Sequence, residues 1–220
     1  MKISMIATVV ATALAASISL NAAATTYTDS TFDLFDNGLD NLDISGVDIS
    51  DDGTNLSIAI TTRGFQTWTK YMVFFNTSGS GTGTNAWSRP VTLTSNIDYF
   101  VGSWVDASTN NSQFVSWTGS AWNWGSESTF SNAVSANTVT WSISLASLGL
   151  GAGQTFYFDV ATSGGGNDPG VDHLSRSDMA TSGWGSPSTS GNFLGYTTVP
   201  APGAIALLGL AGLMGRRRRS

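Results

Sequence analysis

Leu56, Ile58 and Ile60 alternate with Ser57, Ala59 and Thr61, and the same two-residue period returns at Val139, Trp141, Ile143 and Leu145 and at Phe156, Phe158 and Val160. Period-two alternation puts one face of an extended chain against a core and the other in water. These runs are bounded by Gly, Asn, Asp and Ser, which favour turns. No window carries the 3.6-residue apolar period over the length of an ordinary helix. The expected fold is therefore all-β: a jelly-roll-like antiparallel β-sandwich of about 8–10 strands.

Other segments fit this scheme. Leu42, Ile44, Val47 and Ile49 surround Gly46, where a bulge is expected. Asp51-Asp52-Gly53 reads as a tight hairpin turn with Gly at positive φ. Tyr71-Met72-Val73-Phe74-Phe75 is apolar on both faces, as a central strand must be. Further strands are expected over 98–105, 113–117 and 193–197. The run 145–150 reads as one helical turn. Thr77–Asn85 and Ser163–Gly170 read as long surface loops, where function often sits.

The two ends read as addresses rather than as parts of the fold. Residues 1–24 have one charge (Lys2), a long apolar stretch and Ala22-Ala23-Ala24, the pattern of a signal peptide cleaved before Thr25. Residues 199–220 begin with Val199-Pro200-Ala201-Pro202-Gly203. An apolar run over 204–215 and the cluster Arg216-Arg217-Arg218-Arg219 follow. Counted from Val199 to Gly215, the apolar stretch reaches about 25 Å as a helix, the lower limit for crossing a bilayer. The arginines belong on the cytoplasmic side. Such a chain is exported, with its C-terminal helix in the membrane, transiently or permanently. The domain between the ends spans 25–198.

The full chain carries a formal charge of −6. Setting the ends aside leaves Arg63, Lys70, Arg89 and Arg176 against all 15 acidic residues, about −11 in net charge. A domain so poor in cations has no means of gripping nucleic-acid phosphates. The chain has no cysteine, so thiol catalysis and disulfides are excluded.

The C-terminal layout of Pro-rich motif, apolar helix and basic end resembles the PEP-CTERM sorting signal of Gram-negative bacteria. Val199-Pro200-Ala201-Pro202-Gly203 is similar to a variant with Ala201 where the usual motif has Glu. The resemblance implies signal peptidase and an exosortase-like transpeptidase as processing partners. A second resemblance covers about residues 40–162. Leu42-Asp43-Ile44-Ser45-Gly46-Val47-Asp48-Ile49, the 51–56 hairpin and Tyr71-Met72-Val73-Phe74-Phe75-Asn76 resemble the start of a DOMON-like or family-9 carbohydrate-binding sandwich. Ile143–Leu150 and Phe156-Tyr157-Phe158-Asp159-Val160 continue the pattern. This resemblance implies a jelly-roll-like sandwich that binds sugars or another small ligand, without residues matching the haem ligands of redox members.

Candidate chemistry is sparse. His173 is the lone histidine and has no Gly-x-Ser-x-Gly elbow beside it. It reads as a polar loop residue. One glutamate, Glu127, makes the usual paired-carboxylate glycosidase arrangement hard to assemble, so no catalytic residue is nominated and the chain reads as a non-enzyme. No cofactor is demanded, and calcium is the one its oxygen donors suit. Asn167, Asp168 and Asp172 share one flexible loop, and Asp29, Asp33, Asp36 and Asp40 form a second acidic group. The alternative is that these aspartates only cap turns.

Eight tryptophans are many for such a domain. Trp141 and Trp104 are expected in the core. Trp68, Trp87, Trp122, Trp124 and Trp184 lie among polar loop residues, where an indole could stack on a sugar. They could equally seal the ends of the sandwich. Trp122-x-Trp124 would share one strand face. The expected function is that of an exported cell-envelope or extracellular-matrix protein, sorted by its C-terminal signal, whose non-catalytic sandwich binds carbohydrate. A structural surface or biofilm-matrix subunit without a small ligand, or a glycan-active enzyme, are the competing readings.

Overall fold

The computed structural model describes residues 24–106, 109–124 and 128–200. The helices expected within 1–24 and 199–220 lie outside these residues, except for Ala24, Val199 and Pro200. No helix among the described residues is long and apolar enough to cross a membrane.

The described residues form an all-β domain. In chain order the strands are β1 (Thr25–Thr28), β2 (Ile44–Asp51), β3 (Asn55–Thr62), β4 (Lys70–Asn76), β5 (Val91–Thr92), β6 (Tyr99–Asp106) and β7 (Thr109–Ser116). They continue as β8 (Ser128–Ser131), β9 (Ala133–Ser135), β10 (Thr138–Ser144), β11 (Thr155–Ser163), β12 (Asp172–His173), β13 (Ser188–Thr189) and β14 (Leu194–Thr197). Leu145–Leu148 form a single 3-10 turn, closed by Gly149 at φ 66°. The first sheet has the order β1-β2-β3-β10-β9. The second runs β12-β11-β4-β6-β7-β8, with β14 also paired to β11. Both are antiparallel throughout.

The alternating residues do what their period requires. Leu56, Ile58 and Ile60 on β3 and Val139, Trp141 and Ile143 on β10 are buried between the sheets. They meet Tyr71, Val73, Phe75, Phe156, Phe158 and Val160 from the second sheet. Trp141 is the largest fully buried side chain, and its indole N–H donates to Ser112 Oγ at 2.8 Å. The register of β2 on β3 shifts between Ile44 and Gly46, a bulge at the expected glycine. Gly53 takes φ 81° in the β2–β3 turn.

The second sheet is buried on its other face too. Met72, Phe74, Phe100, Val115 and Ala161 carry a second apolar cluster, covered by Ala86, Val91 and Ile97. The cover comes from the 77–97 and 174–193 connections, tied together by the short parallel pair of β5 with β13. The segment 77–85 expected as a plain surface loop thus leads into a packed lid. The difference follows from the double-sided strand: Met72 and Phe74 need an apolar cover that the first sheet cannot supply.

Strand register defines two ends. The β2–β3 turn marks one, the hairpin end. There Ala24 lies beside Asp51 and Asp52, and the Val199 N–H donates to Asp51. The described chain therefore enters and leaves at the same end. Thr28 pairs with Gly46, Ile44 with Thr62 and Lys70 with Ser163 at the opposite end. The connections 29–43, 63–69 and 163–171 gather there. Eight-residue strands separate the two ends by about 26 Å.

Asp51 holds the exit. Its carboxylate is buried and accepts from Tyr196 Oη at 2.8 Å, from the Gly53 N–H at 2.9 Å and from the Val199 N–H. Asp51→Ala leaves the buried Tyr196 hydroxyl and two partly exposed backbone N–H groups without their acceptor and is predicted to destabilise the domain by about 1–3 kcal/mol. Urea unfolding measures the loss, and amide exchange should rise first along β14. An unchanged midpoint would mean that the C-terminal strand is held by other contacts.

Candidate functional site

The end opposite the chain exit carries an aromatic group and an acidic group side by side. Trp68, on the β3–β4 connection, is 40% exposed and Trp184 is 39% exposed. Their ring centroids are 6.3 Å apart at 62°. Phe35 meets Trp184 edge-on at 5.4 Å. The three rings come from three separate connections. Phe35 stands on a small cluster of Leu34, Leu42 and Val171, with Leu39 packed beside it. Asn41 Nδ2 donates to Thr69 Oγ1 at 2.7 Å, fastening the 39–43 segment beside Trp68.

The connection that carries Phe35 also brings carboxylates together with β12. Asp33, Asp43 and Asp172 each place an oxygen within 4.8 Å of the other two. Asp43 is fully buried. Its Oδ2 accepts from Arg63 Nε at 2.6 Å and from the Phe32 N–H at 2.8 Å. The Arg63 guanidinium also lies over the Phe32 ring, 3.7 Å from its centroid, and reaches Asp40 at 2.6 Å. Asp172 accepts the Ile44 N–H at 2.7 Å and its neighbour's N–H at 2.8 Å. Asp29 borders the group through its field on Asp172.

Electrostatics make this a strained neighbourhood for anions. Burial, with the added repulsion of Asp172, pushes the Asp29 carboxyl up to about 9. Burial also raises Asp33, with Asp43 adding to the effect. In Asp172 burial outweighs the backbone N–H of Ile44, and the carboxyl sits well above its ordinary range. Arg63 is the cation that faces this group among the described residues. Oxygen donors so arranged, from the β1–β2 connection and β12, are of the kind that hold a hard divalent cation.

The other nominated residues are placed as follows. Asp168 and Asn167 lie on the 163–171 loop, outside the carboxylate group. The Asp168 backbone oxygen accepts from Arg89 Nη1 at 3.1 Å, and Asn167 is exposed. Asp36 caps the Gly38 N–H at 2.8 Å as a turn residue. Trp87 is half-buried against the second sheet. Its indole N–H donates to Gln113 at 2.8 Å, and a Cβ on Gly102 would lie only 2.1 Å from its ring. Trp122 packs edge-on against Phe100 and Trp117, whereas Trp124 is 42% exposed. These two do not form the common strand face expected of them. Trp104 is half-buried. Of the expected sorting motif, Val199 and Pro200 are described. Ala201, Pro202, Gly203 and Arg216 to Arg219 lie outside the described residues.

His173 is not a polar loop residue. It sits fully buried in β12, its ring stacked on Phe74, with Nδ1 directed at Asp159 Oδ2 at 2.7 Å and Nε2 3.2 Å from Ser188 Oγ. In the neutral ring, Nδ1–H donates to Asp159 and Nε2 accepts the Ser188 hydroxyl. Ser188 Oγ also accepts the Gly170 N–H at 3.1 Å, and a Cβ on Gly170 would fall 2.4 Å from Nε2. The order of groups matches a nucleophile relay, but the hydroxyl is sealed from any substrate. It joins β11, β12 and β13 beneath the second apolar cluster.

A depression of about 500 Å³ lies at the hairpin end, lined by Ser50, Ser57, Ser142, Asn55, Asp51, Asp52 and Ala24. It has no aromatic wall, and of its two carboxylates Asp51 is already engaged by Tyr196, Gly53 and Val199. The aromatic and acidic end is the stronger site on chemical grounds, although it is an open surface.

In the absence of a divalent cation, the raised carboxyls make stability fall with pH. Asp29 keeps its proton in the folded chain up to about pH 9, while an unfolded aspartate releases it near 3.9. The folded state thus binds more protons. The stabilising contribution is complete below about pH 4 and is lost as pH rises through about 9. Chelator-treated protein is predicted to melt lower at pH 9 than at pH 6, and Asp29→Asn to flatten the dependence. Thermal unfolding across that range checks it; an equal slope in the variant would refute the assignment to Asp29.

The chain matches no protein-family model, no curated protein and no solved structure.

Proposed function

We propose that this chain is an exported protein of the cell envelope or extracellular matrix, and that its non-catalytic β domain binds carbohydrate. The observation that carries the reading is the exposed pair Trp68 and Trp184, with half-buried Phe35 against Trp184, at the end remote from the chain exit. Indole and phenyl faces suit the apolar C–H faces of sugar rings, and neighbouring polar groups fix orientation. The rings come from three separate connections at one end of the domain. Such a surface fits a polymer better than a small free sugar.

The location supports the same reading. Val199, the first residue of the sorting motif, leaves the domain at the hairpin end. A tail held in or near a membrane from that end leaves the aromatic end pointing outward. The domain's acidic charge suits an uncharged or cation-bridged polysaccharide better than a polyanion.

Titration calorimetry of the full chain against soluble neutral polysaccharides tests the sugar reading. Trp68→Ala and Trp184→Ala are each expected to weaken binding about three- to tenfold. Trp122→Ala, whose ring packs on Phe100, should leave affinity unchanged. Absence of binding, or equal affinity in all three variants, would sink the proposal. For sorting, the intact mass of protein recovered from producing cells is expected to start at Thr25 and to lack the residues beyond the Pro200-Ala201-Pro202 motif. A full-length tail in the mature protein would overturn the processing step.

A further inference from the structure

Acidic residues crowd many surfaces without holding anything, so the Asp33–Asp43–Asp172 group needs more than proximity. What it has is orphaned oxygens. Asp43 is wholly buried with Oδ2 occupied by Arg63 and Phe32, and its Oδ1 has no hydrogen-bond partner among the described residues. Both Asp33 oxygens and Asp29 Oδ2 are buried and have no partner on another residue. A buried carboxylate oxygen without a donor is costly. Three of these oxygens belong to Asp33 and Asp43, whose carboxylates also come within 4.8 Å of each other and of Asp172, and such oxygens are what a bound cation would satisfy. The three mutually close oxygens fit the span of one ion, because oxygens on opposite sides of calcium lie about 4.8 Å apart.

We infer that Asp33, Asp43 and Asp172 are the carboxylate ligands of a calcium site, with Asp29 at its border. Arg63 is shared between Asp43 and Asp40, so one side-chain cation stands against several carboxylates. The donors are oxygens from the β1–β2 connection and from β12. His173 is adjacent in sequence, but its ring is committed to Asp159 and Ser188. All-oxygen donors on irregular segments favour calcium over zinc. They also favour it over magnesium, which demands near-ideal octahedral geometry and keeps its waters. The ion joins the start of the first sheet to the edge strand of the second. It thereby holds the 33–43 segment on which Phe35 stands.

Calorimetry and thermal unfolding of the full chain, first stripped with chelator, test the site with calcium itself. One calcium per chain is expected, with the melting temperature raised by about 5–10 °C at a hundredfold excess over Kd. Magnesium at the same concentration should give less than half that shift. Asp33→Asn is the informative variant, because Asp33 accepts no bond from another residue and its loss leaves no donor unpaired. It should weaken calcium binding at least tenfold while melting no lower than the parent in chelator. Asp168→Asn, outside the group, should bind like the parent. No saturable heat up to millimolar calcium, undiminished affinity in Asp33→Asn, an equal shift with magnesium, or lost affinity in Asp168→Asn would each overturn the assignment.

Discussion

The five residues Tyr71 to Phe75 are all buried, so β4 must be covered on both faces. That requirement organises the rest of the domain. The first sheet covers Tyr71, Val73 and Phe75. Nothing regular remains to cover Met72, Phe74 and Phe100, and the 77–97 and 174–193 connections take that place. Trp87 seats on Gly102, where the absence of a side chain opens room for an indole. The covering segments then need anchors of their own. These are the β5–β13 pair and the Ser188–His173–Asp159 chain of hydrogen bonds beneath them. A group of residues that could be mistaken for catalytic machinery is thus explained by the burial of one sheet face.

The same demand sorts the tryptophans. Those used to close the second face are spent on packing, as Trp87 and Trp122 are. Trp68 and Trp184 lie beyond the rim of that cover and stay about two-fifths exposed. Trp68 meets Trp184, which meets Phe35, carried by the connection that also supplies Asp33. The aromatic face and the acidic group are therefore not independent features. The carboxylates sit in the base of the segment that presents the ring. Their mutual repulsion loosens that base unless protons or a cation relieve it.

Much of the fold was legible in the sequence because period-two burial is a local signal. β3 and β10 follow their alternation, β11 does so only up to Phe158 before it is buried on both faces, and the bulge at Gly46 and the turn at Gly53 follow from glycine itself. The short strands β1, β5, β12 and β13 were not legible. Thr25–Thr28 has almost no apolar alternation and pairs because β2 offers an open edge. Asp172–His173 reads as loop by composition and becomes a strand only where β11 lies beside it. The candidate site was half legible. Asp172, Asp29 and Asp33 stood out as acidic, but in separate groups, and Asp43 was hidden within an apolar strand motif. Its partner Arg63 is 20 residues away, so no local spacing announced the pair.

The sequence by itself determined the all-β class and the acidic balance of residues 25–198. These depend on composition and on periods of two to four residues, which a linear reading captures. Only the tertiary structure decided which tryptophans are spent on packing, which carboxylates meet, and that the site lies opposite the chain exit. Those outcomes turn on pairings across more than a hundred residues, such as Ile44 with Asp172. They arise because closing two sheets over a doubly buried strand forces particular loops to one end.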